Sequence, residues 1–354
     1  MKSHAVHKPR LILCLALTVL PAAAHAQWAY AWANQPAAAS YKADPKFSRS
    51  SVNQPIDINH LAGAGYYSVR FRGLGTGSAP GGTVQVSSTT GARQCKVESW
   101  ALVSPDLLAK VRCFTANGGA VDSGFMVLAV RSNISAVAQG YVLADKPNLA
   151  AYGADPKYSY NSAGGVNQIT RTGTGTYKVR FPNLATGAGT EKGNVQVTAL
   201  GSGNRMCTLV GWGSPVPSEI VATVQCTAAD NPADTSFTLL VEIGDGAPLL
   251  KQAYAWGHDP ANALYAPLAD YANGPGVISI KRNSTGVYRV RFENLGGDPN
   301  HIGSAQVTAQ GVAGEFCSVV GLANAGMGAI DAEVWCYTYA GAHADIRFTL
   351  LVEK

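Results

Sequence analysis

The chain has 354 residues with 27 Lys+Arg against 22 Asp+Glu, and charged residues make up only 14% of it. A basic leader holds three of the cations and no acid, so the rest carries 24 − 22 = +2, with no Lys/Arg cluster, which removes the electrostatic case for binding nucleic acid. Low charge with 39 Gly and many Thr, Val and Tyr points to an all-β extracellular protein rather than a helical cytosolic one.

Lys2, Lys8 and Arg10 precede an apolar run at 11–20 and small residues at 22–26. This is the pattern of a bacterial signal peptide over residues 1–26, cleaved after Ala24 or Ala26, and the localisation it predicts is secreted or periplasmic. The apolar run is too short to span a bilayer, and no later run approaches about 18 residues, so no integral membrane segment is expected. Cleavage after Ala24 leaves His25 first, as in copper-dependent polysaccharide monooxygenases, with His60 the one further ligand candidate nearby. Cleavage after Ala26 leaves Gln27 instead.

Three repeats follow, over 27–131, 138–243 and 249–354. Each opens on an aromatic entry ending in proline: Tyr30 to Pro36, Tyr141 to Pro147 and Tyr254 to Pro260. Five residues on stands Tyr41, Tyr152 or Tyr265, and six further Phe47, Tyr158 or Tyr271. The next landmark is G-x-Y-x-V-R-F, beginning at Gly65, Gly175 and Gly286, 110 and 111 residues apart. Its Tyr, Val and Phe alternate with polar residues, the period of a half-buried strand. Before the third copy, residues 278–282 alternate and 283–286 read as a four-residue hairpin loop. Later come V-Q-V or A-Q-V (at Gln85, Gln196 and Gln306), a pair of cysteines, and a closing strand led by Phe125, Phe237 or Phe348. The stretches 131–139 and 242–248 read as linkers.

The cysteines pair one bridge per repeat: Cys95–Cys113, Cys207–Cys226 and Cys317–Cys336. Without a C-x-x-C motif, they read as fold staples worth roughly 3 kcal/mol each. Short strands, frequent turns and one disulfide per repeat predict an all-β chain of three tandem β-sandwich domains, immunoglobulin-like or jelly-roll-like. The cysteine spacing of 18–19 is short for a true immunoglobulin bridge. The combination Y-A-W-A-N-x-P, G-x-Y-x-V-R-F and N-V-Q-V-T-A resembles uncharacterised exported bacterial proteins built from a disulfide-containing β repeat of this size. That resemblance carries over no catalytic residue and no ligand.

No H-E-x-x-H, G-x-S-x-G or phosphate-loop motif is present, and no cofactor or metal is implied. Gly211-Trp212-Gly213-Ser214-Pro215 lacks the last glycine of a nucleophile elbow and reads as a loop. His258, His301 and His343 lie in the third repeat near Asp259, Asp298 and Asp345, the one place where a hydrolytic site could break the repetition. Two binding features remain. Tyr30 with Trp32, and Tyr254 with Trp256, share a strand face and could form a platform for sugar rings, or else pack into the core. Arg70, Arg180 and Arg291 point outward, toward anionic groups or cross-strand carboxylates. The leading expectation is a non-catalytic exported binding or surface protein whose partner is a glycan, polymer or protein surface. A secreted hydrolase is the alternative.

Overall fold

The computed structural model describes residues 1–2, 27–76, 81–131, 138–185, 192–216, 218–244, 246–247 and 250–354. The predicted signal peptide beyond Lys2, with both expected cleavage sites and His25, lies outside them. The chain is all-β, and the helical segments among the described residues are three-residue 3-10 turns.

Each repeat folds as two antiparallel sheets. In the first, the strands are β1 (Gln27–Ala33), β2 (Ser40–Lys42), β3 (Ser48–Ser50), β4 (Ile56–His60), β5 (Tyr66–Phe71), β6 (Thr83–Ser88), β7 (Arg93–Val103), β8 (Asp106–Thr115) and β9 (Phe125–Arg131). One sheet runs β3-β1-β9-β6 and the other β2-β4-β5-β8-β7. The second and third repeats keep these orders with a few departures: Asn231–Pro232 adds a short strand to the second, Gly246–Ala247 adds one to the third, Leu209 and Gln310 form a parallel bridge between the two repeats, and in the third Asn273 makes an isolated bridge to Tyr254 where β3 would lie. Cys95 and Cys113 face each other on the neighbouring strands β7 and β8, so the bridge staples two strands of one sheet. An inter-sheet bridge of the immunoglobulin kind is not made.

The G-x-Y-x-V-R-F motif supplies the centre of the five-stranded sheet. Tyr67, Val69 and Phe71 point inward and are essentially buried, as are their counterparts in the other repeats. Gly175 has φ of +67°, and a Cβ there would lie 2.4 Å from the carbonyl oxygen of Cys226, so only glycine fits. Its carbonyl accepts the Cys226 N–H at 2.7 Å, locking the turn to the disulfide strand. The hairpin before the third copy is tighter than the sequence implied. The strands run Ile278–Ser284 and Val287–Phe292, and a bulge between Arg282 and Ser284 absorbs the extra residue.

The repeats are not beads on a string. In β1 the small residues Ala29, Ala31 and Ala33 face the sandwich interior, and Trp28, Tyr30 and Trp32 face the other way. That second face is also dry, because the β3-β1-β9-β6 sheets of all three repeats turn toward one another. Trp28, Tyr30, Leu128 and Val130 meet Tyr141 and Leu240 of the second repeat and Tyr254 and Leu351 of the third in one cluster. One hydrogen bond recurs around this axis: Val86 N–H to Thr198 Oγ1 at 3.2 Å, Val197 N–H to Thr308 Oγ1 at 2.9 Å, and Val307 N–H to Ser87 Oγ at 2.8 Å. First binds second, second binds third, and third binds first. The ring is closed, with pseudo-three-fold symmetry. The predicted linkers are correspondingly short, since Arg131, Gln139 and Glu242 belong to strands and are buried.

The 3-10 turns bolt the seams. Each carries an aromatic into the preceding repeat: Tyr158 stacks edge-on against Trp100, Tyr271 against Trp212, and Phe47 packs on the third repeat's core. Gly211, Trp212 and Gly213, read from sequence as a loop, end the strand Met206–Gly213, and the Trp212 indole donates to the carbonyls of Lys192 and Gly193.

Candidate ligand-binding cleft at the seam of the first and third repeats

The structure disperses the residues singled out from sequence. Tyr30 and Tyr254 are 1% and 0% exposed in the axial cluster, so neither forms an open platform. Trp32 donates to Thr89 Oγ1 at 3.0 Å and stacks on Phe47, while Trp256 donates to Gln310 Oε1 at 2.8 Å and lies against Trp212 and Tyr271. The platform is lost because both faces of the first strand are covered. The arginines are paired with carboxylates: Arg70 with Asp106 at 2.7 Å, Arg180 with both oxygens of Glu219 at 3.0 and 2.7 Å, and Arg291 with Glu293 at 2.7 Å.

The histidines of the third repeat are held apart. His301 Nδ1 lies 2.8 Å from Asp298, His258 sits between the rings of Trp256 and Tyr265, and His343 packs on Tyr337. Asp345 is occupied structurally. It accepts from Gly286 N–H at 2.9 Å, from Tyr288 OH at 3.0 Å and from Arg282 at 2.9 and 2.8 Å. Asp234 does the same for Gly175, Tyr177 and Arg171, and Asp122 for Gly65, with His60 in the arginine's place. The Arg171 and Arg282 hydrogen bonds hold the carboxyls of Asp234 and Asp345 down at about 2. Among the described residues, no three His, Cys, Asp or Glu side chains are grouped to hold a metal.

What the sequence reading missed is a cleft of about 1320 Å³ where the third repeat meets the first. Lys42 and Arg49 come from one wall, Lys251 and Lys354 from the other, with His301 and Asp298 at the rim. The two carboxylates in the lining are already engaged: Asp44 accepts the Lys46 N–H that caps the 3-10 turn, and Asp298 accepts from Asn300 N–H and His301. Four side-chain cations therefore face two satisfied side-chain carboxylates. Burial lowers the Lys354 ammonium below the usual lysine range, and among the described residues it donates to the Asp298 carbonyl at 3.4 Å. A partly desolvated cation so weakly partnered gains from an incoming anion.

The cations are departures from the repeat. Opposite the entry tyrosine stands Arg49 in the first repeat, but Tyr160 and Asn273 in the others. Lys354 aligns with Arg131 and Ile243, and Lys251 with Gln27 and Ala138. Reading where the repeats differ, rather than where they agree, would have found this wall. The fold and cleft define an all-β class: three disulfide-stapled sandwiches closed into a ring. No family model, no curated protein and no solved structure matches the chain.

Proposed function

We propose that the protein is a non-catalytic binding protein of the exported space that holds an acidic, polar polymer, such as a uronate- or phosphate-bearing glycan, in the cleft between its first and third repeats. The observation that carries the reading is the cationic lining itself. Lys42, Arg49, Lys251 and Lys354 have no carboxylate partner among the described residues, in a chain whose residues 27–354 carry 24 − 22 = +2. The lining holds no tryptophan or tyrosine, which favours ionic and hydrogen-bonded contacts over ring stacking.

The test uses the full chain. Retention on immobilised polygalacturonate or alginate is compared with retention on cellulose, at low and high salt. Acidic polymers are expected to retain the protein in a salt-sensitive manner. The double variant Arg49→Glu, Lys251→Glu should weaken binding at least about tenfold, with the fold unchanged by circular dichroism. Equal retention on neutral polymer, or a double variant that binds as the parent does, refutes the reading.

A further inference from the structure

Inward of the cleft wall, the axial core contains oxygens that a buried interior does not ordinarily tolerate. Glu242 and Glu353 occupy matching positions on the closing strands of the second and third repeats, and both are essentially unexposed. The first repeat has Val130 at this level. Gln139 donates its amide to Glu242 Oε1 at 2.8 Å, which fixes its head at the cluster. Five buried oxygens there have no hydrogen-bond partner: Tyr30 OH, Gln139 Oε1, Glu242 Oε2 and both carboxylate oxygens of Glu353. Burial pushes both carboxyls upward, the Glu242 charge raises Glu353 further, and Glu353 in turn acts on Tyr30.

Two adjacent carboxylates in a buried core cost several kcal/mol each unless something neutralises them. Among the described residues no basic side chain is hydrogen-bonded to these five oxygens: Arg49 faces Tyr30 across the strand pair and acts on it through space, Arg131 is drawn to Gln27 and the carbonyls of Leu74 and Thr76, and Lys354 to Asp298. Apart from the Gln306 amide, also without a partner and placed opposite Leu351, the unsatisfied atoms here are oxygens, with no thiolate or imidazole among them. Oxygen-only sets select hard cations, and two carboxylates match a charge of two.

We infer that Tyr30, Gln139, Glu242 and Glu353 form an axial binding site for a hard divalent cation of the calcium class, drawing one or more ligands from each of the three repeats. Such an ion closes the ring, because its ligands meet only when all three repeats are docked. Millimolar calcium is within the range at which extracellular modules of this ligand type fill.

Terbium(III) serves as the probe. Trp28 stacks on Tyr30 with ring centroids 5.9 Å apart, which puts an indole donor beside the site. The full chain, stripped with chelator and titrated with terbium at neutral pH, is expected to give tryptophan-sensitised emission that calcium competes away. Calcium should also raise the thermal midpoint of the stripped protein, and magnesium should do so less. The variant Glu242→Gln, Glu353→Gln keeps shape and hydrogen-bonding capacity. It should lose the sensitised emission and the calcium-dependent midpoint shift. Tyr30→Phe removes one oxygen from a ring that stays packed, and should weaken calcium several-fold in a protein that still folds. If the parent chain shows neither sensitised emission nor a calcium shift, or if the double-glutamine variant responds as the parent does, the site holds a shared proton rather than a metal ion and the inference fails. These readouts are independent of polymer retention, so either proposal can fail alone.

Discussion

Leu240→Ala separates a closed ring from three independent sandwiches. Leu240 lies on the strand Phe237–Ile243 with its side chain on the face turned away from its own sandwich. In an isolated second repeat that face would be wet, and trimming the side chain would change stability by no more than about 0.5 kcal/mol. In the ring it is 1% exposed, packed among residues of all three repeats. Removing a fully buried leucine loses its transfer energy and leaves a cavity, about 3 kcal/mol. With a urea slope of about 3 kcal/mol/M, the midpoint should fall by about 1 M. Leu239→Ala is the control. That residue points into the second repeat's own core and should cost about as much in either architecture. Unfolding can be followed by tryptophan fluorescence, since Trp28, Trp212 and Trp335 report on separate repeats, and closure predicts that all lose signal together in the leucine variant. The reasoning is refuted if Leu240→Ala stays within 0.5 kcal/mol of the parent while Leu239→Ala shows the full loss.

Gly175→Ala should destabilise by more than about 2 kcal/mol, since it combines a left-handed backbone with a Cβ driven onto the Cys226 carbonyl. Gly164→Ala, also left-handed at φ +77° but with open space around it, should cost only about 1 kcal/mol in the same denaturation assay. Asp234 and Asp345 make stability fall in acid. Their folded carboxyls titrate near 2, below the unfolded 3.8, so their contribution is complete above pH 4 and disappears as pH drops toward 2. After solvent screening this amounts to about 1 kcal/mol per site, and Asp345→Asn should flatten the pH profile between 4 and 2 by that amount while lowering stability at pH 7.

The sequence made the repeat units legible because their landmarks serve local geometry. Glycine is needed for the left-handed turn, Tyr-x-Val-x-Phe for the buried face, and paired cysteines for two adjacent strands, so each leaves a spacing that survives in every copy. The aspartates that pin the turn were equally legible, each standing three residues before the closing phenylalanine as Asp122, Asp234 and Asp345. The ring was not. Alternation in β1 distinguishes two faces but not what covers the second one. A strand reading Trp-Ala-Tyr-Ala-Trp-Ala fits water on the aromatic side as well as another sheet. The contacts that decide it, such as Val86 with Thr198, join residues more than a hundred positions apart and follow no local period. The cleft was missed for a related reason: its cations matter through their neighbours across a seam, and one such neighbour belongs to the opposite end of the ring.

A ring of three similar units has three similar seams, and among the described residues the seam that carries the cleft differs from the other two. At two seams an indole does the filling. Trp100 donates to Gly81 and meets Tyr158, and Trp212 donates to Gly193 and meets Tyr271. Both tryptophans stand opposite an alanine, Ala109 and Ala222, and the third repeat places Leu322 opposite Ala332 at the same register. Leucine is smaller than tryptophan and has no N–H, so this seam loses both the ring contact and the bond that draws the neighbouring loop inward. The same seam carries Arg49 in place of Tyr160 or Asn273, exchanging a residue that packs for one that seeks an anion. Two independent changes, one subtracting bulk and one adding charge, fall at the junction of the first and third repeats. Closure supplies the rigid frame, and the departures from symmetry give one junction the means to bind.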